Sequence, residues 1–138
     1  MLTKTATPVK IDYVTDTMAI ILRLENRRLS LRIKDIFEQV EFGTQRLAIP
    51  AMAVAELGYL AERRRIETSL SELSDYVNQY PQASIEPITG DIVNQAFRIL
   101  DIPELHDRLI AATAVCMNAV LITNDPVISE SKSVRVIW

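Results

Sequence analysis

Apolar positions change period repeatedly along this chain, and each change marks a new element. Residues 10–16, KIDYVTD, gather Ile, Tyr and Val into a short run that predicts a strand. The period turns helical through 17–29, TMAIILRLENRRL. Ser30 is placed to cap a second helix, LRIKDIFEQVEF, in which Leu31, Ile33, Ile36, Phe37 and Val40 share one face and which Gly43 ends. RLAIP (46–50) is a short strand closed by proline, and Pro50 suits the first position of the helix at 51–65. A helix at 69–80 stops before Pro81. ASIEPIT (83–89) alternates like a strand, with Pro87 pointing to an edge or an irregular end. Residues 91–100 are amphipathic, with Ile92, Val93, Ala96, Phe97 and Leu100 on one side. A long helix is predicted at 105–119, a strand at VLITND (120–125), and a last short strand at SVRVIW (133–138).

The order is therefore βααβααβααββ. Such alternation predicts an α/β fold: a central, mainly parallel sheet of about five strands with helices on both faces, a three-layer α/β/α sandwich. Residues 1–9 read as a flexible tail and 10–138 as a single domain. No repeat, low-complexity tract or linker interrupts it.

Composition narrows this picture. With 138 residues the chain can bury a real core, and only three glycines argue against a turn-rich all-β fold. A net charge of −3 argues against nonspecific coating of nucleic acid, though not against a local basic patch. The single cysteine, Cys116, lies in the apolar run ATAVCMNAV and is expected to be a buried, reduced thiol. No run has the roughly 18 apolar residues of a membrane span, and the start lacks the pattern of a secretory signal, so a soluble cytoplasmic protein is expected.

Open parallel sheets hold ligands at the carboxyl ends of their strands. Asp16 ends the first strand and Asp125 the fourth, and both face one crevice if those strands are neighbours. Glu56 interrupts an apolar helix, flanked at helical spacing by Met52, Ala53, Tyr59 and Leu60. Asp107 begins the long helix and faces Ile110, Ala111 and Ala114. Each acid has a plainer reading. Asp16 suits an N-cap, Asp125 a turn before Pro126, Asp107 a first-turn acid, and Glu56 a solvated edge or a partner of Arg63. Together they fall at one edge of the predicted sheet. Two carboxylates about 4 Å apart repel by roughly 4 kcal/mol at an effective dielectric of 20, so such a cluster holds protons or a cation. All-oxygen donors suit Mg²⁺ or Mn²⁺, and one His with one Cys argues against structural zinc.

Four stretches give the chain a family resemblance over roughly residues 10–138. YVTDT, IPAMAVAELGYL, LHDRLIAATAV and LITNDP occur in the order and spacing of the PIN domain, the fold of metal-dependent ribonucleases that includes VapC-type toxins. The resemblance implies a PIN-like sandwich with Asp16, Glu56, Asp107 and Asp125 as the catalytic, metal-binding acids. Asp16 and Asp107 would bind Mg²⁺ or Mn²⁺ most directly, and Thr17 and Thr123 would orient carboxylates or substrate. It further implies hydrolysis of RNA, an antitoxin partner and a homodimer.

Other residues carry weaker signals. Arg63, Arg64 and Arg65 form the densest basic run, either a solvated helix end or a contact to an RNA backbone. Arg23, Arg27 and Arg28 offer the same choice. His106 adjoins Asp107 but points along a different helical direction, and it reads as incidental. Tyr59, Tyr76 and Tyr80 show no base-stacking array. Two other functions compete with a nuclease: a PIN-like RNA- or protein-binding module with little or no catalysis, and a receiver-like regulatory domain. The latter lacks its late-strand lysine here.

Overall fold

The computed structural model of the chain describes residues 9–138. Five strands form one sheet in the order β3-β2-β1-β4-β5, with every neighbouring pair parallel. They are β1 (Tyr13–Thr15), β2 (Leu47–Pro50), β3 (Ala83–Glu86), β4 (Val120–Ile122) and β5 (Val136–Ile137). The helices between them are α1 (Thr17–Leu24), α2 (Leu31–Phe42), α3 (Ala51–Glu62), α4 (Leu70–Gln79), α5 (Gly90–Ala96), α6 (Leu105–Cys116) and α7 (Pro126–Ser129). The predicted tail lies outside the described residues apart from Val9.

From β1 the chain steps outward to β2 and then β3, and afterwards returns past β1 to β4 and β5. Right-handed crossovers place α1–α4 on one face of the sheet and α5–α7 on the other. Accordingly α3 packs on α1 and α4, and α5 packs on α6. Strands covered on both sides read as continuous apolar runs, and LAIP of β2 is buried throughout. Val14, Ile20, Phe37, Leu47, Ile49, Leu57, Ile110 and Leu121 are all essentially inaccessible and belong to one core cluster. Each side chain of that size contributes about 1.5–3 kcal/mol on burial.

Element types agree with the sequence reading, while several ends differ. The helix predicted at 17–29 stops at Leu24, because Asn26 turns left-handed at φ 52 and the Arg27 N–H closes on the Leu22 carbonyl. Pro50 is the last residue of β2 and precedes α3 as its N-cap instead of opening the helix. Pro87 lies just beyond β3, which is an edge strand. The face predicted for 91–100 is not kept: Val93 is exposed, and the helix ends at Ala96. There the N–H groups of Arg98 and Ile99 bond three residues back, which turns Ile99 into the core and leaves Phe97 and Leu100 exposed. Cys116 is exposed, not buried: the buried stripe of α6 runs from Ile110 to Ala114 and ends before it. α7 is an addition. Asp125 and Pro126 start a helical turn where only a loop was expected.

Polar bridges tie the helices on the first face together. Glu41 of α2 accepts both Nε (2.9 Å) and Nη2 (2.6 Å) of Arg23 from α1, and also the hydroxyl of Tyr76 from α4 (2.7 Å). Burial and this bond push the Tyr76 phenol upward from its ordinary value. Glu25, just past α1, accepts the Thr68 hydroxyl at 2.7 Å and the N–H groups of Glu67 and Thr68 at 3.0 Å, which secures the entry to α4. The Thr68 hydroxyl, above all, holds the Glu25 carboxyl below its ordinary 4.5.

Glu25→Ala should lower unfolding free energy by about 1–2 kcal/mol at pH 7. A depressed carboxyl stabilises the fold above its unfolded value and loses that contribution as pH falls through its folded value. Urea titrations of both proteins should therefore converge as pH falls below about 4. A gap independent of pH would assign the loss to packing.

Candidate active site

The return of the chain past β1 makes the junction of β1 and β4 the switch point of the sheet. Thr15 pairs with Ile122, so Asp16 and Thr123 are the next residues on adjacent strands. The Asp16 N–H extends the ladder to the Ile122 carbonyl at 3.1 Å. The Asp16 side chain is largely buried and caps α1, its Oδ1 accepting the Ala19 N–H at 2.8 Å. The cap reading is thus realised, and it engages Oδ1 of a carboxyl held at the sheet's edge. Thr17, the first residue of α1, donates its hydroxyl to Oε1 of Glu56 at 2.8 Å. That bond brings α3 to the strand end across 39 residues of chain.

Thr123 is fully buried, and its Oγ1 accepts the Asp125 N–H at 3.1 Å. Asp125 caps α7 through Oδ1, which accepts the N–H groups of Val127 (2.9 Å) and Ile128 (3.0 Å). Asp107 stands half-buried in the first turn of α6, its N–H bonded to Oε2 of Glu104 at 2.8 Å. The other oxygen of Glu104 lies 3.0 Å from Nδ1 of the exposed His106.

These carboxylates share one electrostatic field. Burial is the main cause that lifts Asp107 from 3.8 to about 6, and the charges of Glu104, Asp125, Glu56 and Asp16 add to it. Asp16 is also raised, first by burial and then by Asp125 and Glu56, while bonds from the Thr123 side chain and the Ala19 N–H act the other way. The four predicted acids therefore lie within range of one another's charges near the ends of β1 and β4, with Thr17 bonded to Glu56 and Thr123 to Asp125. Glu104 is a fifth acid that the sequence reading missed. It occupies the N-cap of α6, a position where Glu is uncommon, and its signal was the spacing of three residues before Asp107.

The arginine run stands apart from this crevice. α3 ends at Glu62, and Arg63, Arg64 and Arg65 are exposed beyond it. Arg63 lies over the ring of Tyr59, 4.3 Å from its centroid. Among the described residues Glu56 forms no ion pair with Arg63; its partner is Thr17.

The donor set fits a hard divalent cation in kind, being all oxygen, with two of its carboxyls raised mainly by burial and further by their neighbours' charges. Among the described residues, however, no three His, Cys, Asp or Glu side chains stand close enough to hold an ion in the positions they adopt. Cation binding at this crevice requires the carboxylates to turn inward.

Fold and site together define an open parallel α/β domain with an acidic crevice at its switch point. The PIN-domain sequence profile matches residues 13–132, and the chain belongs to the PIN-domain family. It matches no curated protein sequence. Its fold is similar to that of the VapBC2 complex of Rickettsia felis, solved with a DNA fragment from its promoter. That match has a TM-score of 0.72 at 18% identity and covers 93% of this chain and 99% of the other. FitAcB of Neisseria gonorrhoeae is similar at a TM-score of 0.64 and 16% identity, covering 91% and 96%. VapC20 of Mycobacterium tuberculosis, a toxin that cleaves the sarcin-ricin loop, is similar at 0.62 and 14%, covering 90% and 99%.

A raised carboxyl makes the charged form unfavourable in the fold. Asp107→Asn should thus stabilise the protein at pH 7 by on the order of 1 kcal/mol, after allowing for solvent screening of a half-exposed group. Wild-type stability should rise as pH falls from about 6 toward 4, which narrows the gap. Thermal melts without divalent metal check this, and a lower melting temperature for Asp107→Asn at pH 7 would contradict it.

Proposed function

We propose that this chain is a metal-dependent endoribonuclease, the toxin of a type II toxin–antitoxin pair. The observation that carries the reading is the convergence of Asp16, Glu56, Asp107 and Asp125 at the switch point of a PIN-domain sheet, with two of them raised by burial and mutual repulsion. Asp16 and Asp107 would hold Mg²⁺ or Mn²⁺ most directly, and Glu56 and Asp125 would complete the site. The ion would supply charge neutralisation at the phosphoryl oxygens and a more acidic water.

The chain's own groups do the rest. Thr17 orients Glu56, and Thr123 orients both Asp16 and the backbone of Asp125. The α7 N–H groups engage only Oδ1 of Asp125, so Oδ2 is the oxygen that would turn to the ion. Asp107, with its carboxyl near 6 in the metal-free chain, would give up its proton on taking the ion. Arg63, Arg64 and Arg65 would meet the RNA backbone outside the acidic crevice.

An antitoxin partner is supported by the similar structures that are themselves toxin–antitoxin complexes. A homodimer is supported by apolar side chains that α2 and α4 leave exposed, Phe42 and Leu70 among them. Among the described residues no helix is long and apolar enough to cross a membrane, and a cytoplasmic site of action accords with a lone exposed thiol. A second reading, a PIN-like RNA- or protein-binding module without catalysis, draws on the separation of the acids noted above.

Purified protein should cleave RNA with Mg²⁺ or Mn²⁺ and stop on chelation. Asp107→Asn should reduce the rate by at least 100-fold while circular dichroism stays unchanged. Cleavage that survives either the chelator or the substitution would place the chemistry elsewhere, and RNA binding with no cleavage in any divalent metal would favour the module.

A further inference from the structure

An apolar groove adjoins the acidic crevice and takes no part in the reaction described above. It has a volume of about 540 Å³, within the range of ligand sites, and is lined by Met52, Ala55, Glu56, Tyr59 and Leu60 of α3 and by His106 of α6. Its position is set by the crevice. Glu56 belongs to both, and His106 adjoins Asp107. A polymer whose phosphate lay against the four acids would pass its next unit over the mouth of this groove.

The lining narrows the choice of occupant. Its apolar walls and one carboxylate disfavour a phosphate. Tyr59, one helical turn beyond Glu56, is 54% exposed, a large aromatic surface left to solvent. Arg63 braces the Tyr59 ring without itself lining the groove, and it begins a run of three exposed cations just past the end of α3. With Nδ1 of His106 held by Glu104, Nε2 is the nitrogen left for a polar edge. A flat, neutral, aromatic unit on an anionic backbone meets all of these conditions: its face stacks on Tyr59, its edge faces His106, and its phosphate approaches the arginines.

We propose that this groove binds one unpaired nucleobase of a single-stranded RNA, stacked on Tyr59, next to the phosphate at the acidic crevice. The choice of RNA rests on the ribonuclease reading. Tyr59 is then a positioning residue that favours single-stranded over paired substrate, because a base within a duplex cannot leave its stack to enter.

The test is an NMR titration of the full chain with a single-stranded RNA hexamer, in chelator and without divalent metal. The Tyr59 ring protons should move upfield as the hexamer binds. Tyr59→Ala should raise Kd roughly tenfold or more, and Tyr59→Phe should keep both the affinity and the ring shift. A hexamer lacking one base should bind wild type more weakly by a similar factor and bind Tyr59→Ala with no further loss. With metal, Tyr59→Ala should raise KM for cleavage more than it lowers kcat. Equal binding and cleavage by wild type and Tyr59→Ala would overturn the groove assignment while leaving the nuclease reading intact, and would point to an apolar segment of a protein partner as the occupant. Stacking that depends on Tyr59, with no cleavage in any metal, would sink the nuclease reading and support the groove. Absence of binding by wild type would overturn the groove assignment.

Discussion

The parallel pairing of β1 with β4 is the constraint on which the crevice depends. Thr15 opposite Ile122 brings Asp16 level with Thr123, and the hydroxyl of Thr123 then serves both Asp16 and the Asp125 backbone. A slip of one residue would reverse which side chains face each layer and would separate these groups. The register is protected by burial, since Val14, Thr15, Leu121, Ile122 and Thr123 are all inaccessible and any slip would disturb close packing on both faces. Core packing thereby sets the geometry of the acids, and the backbone N–H groups of core residues Ala19 and Ile128 bond the carboxylates of Asp16 and Asp125 directly.

Holding like charges together works against folding, and the chain offsets this locally. Asp16, Asp107 and Asp125 each lie at or within the first turn of a helix, where free N–H groups and the positive end of the dipole favour negative charge. Asp16 and Asp125 accept such N–H groups directly. Asp107 lacks an equivalent bond to its carboxyl, because Glu104 occupies the capping position and adds another negative charge. Burial therefore lifts Asp107 to about 6 with no bond to its carboxyl acting the other way, and the Glu104 charge adds to the rise.

Element types were legible in the sequence because each rests on a local signal. Strand runs, caps and stops lie within a few residues of one another, and the four acids sit at predictable places on the elements. Element ends were less legible, because tertiary contacts decide them. Glu25 leaves the helical period to bond Thr68, 43 residues away, and α1 stops. The tightened turn after Ala96 buries Ile99 in place of Leu100, which periodicity alone does not anticipate. Cys116 read as buried from its apolar neighbours in sequence, yet its own place on the last turn of α6 faces outward. Glu104 escaped notice because capping propensity favours other residues.

Glu56 differs from the other acids in kind. It lies in the middle of α3, away from that helix's own N-terminus, and it accepts no backbone N–H. Its compensation comes from a single hydroxyl, that of Thr17, on a helix that starts at the end of β1. That hydroxyl engages only Oε1 and leaves the second oxygen for a cation or a water. The same helical turn carries Glu56 at the crevice and Tyr59 in the groove, so whatever positions α3 against β1 positions both. Replacing the Thr17 contact would shift the acid and the aromatic surface together. Charge and stacking are thus coupled through one short helix whose placement rests on a 2.8 Å bond and on the burial of Ala53 and Leu57.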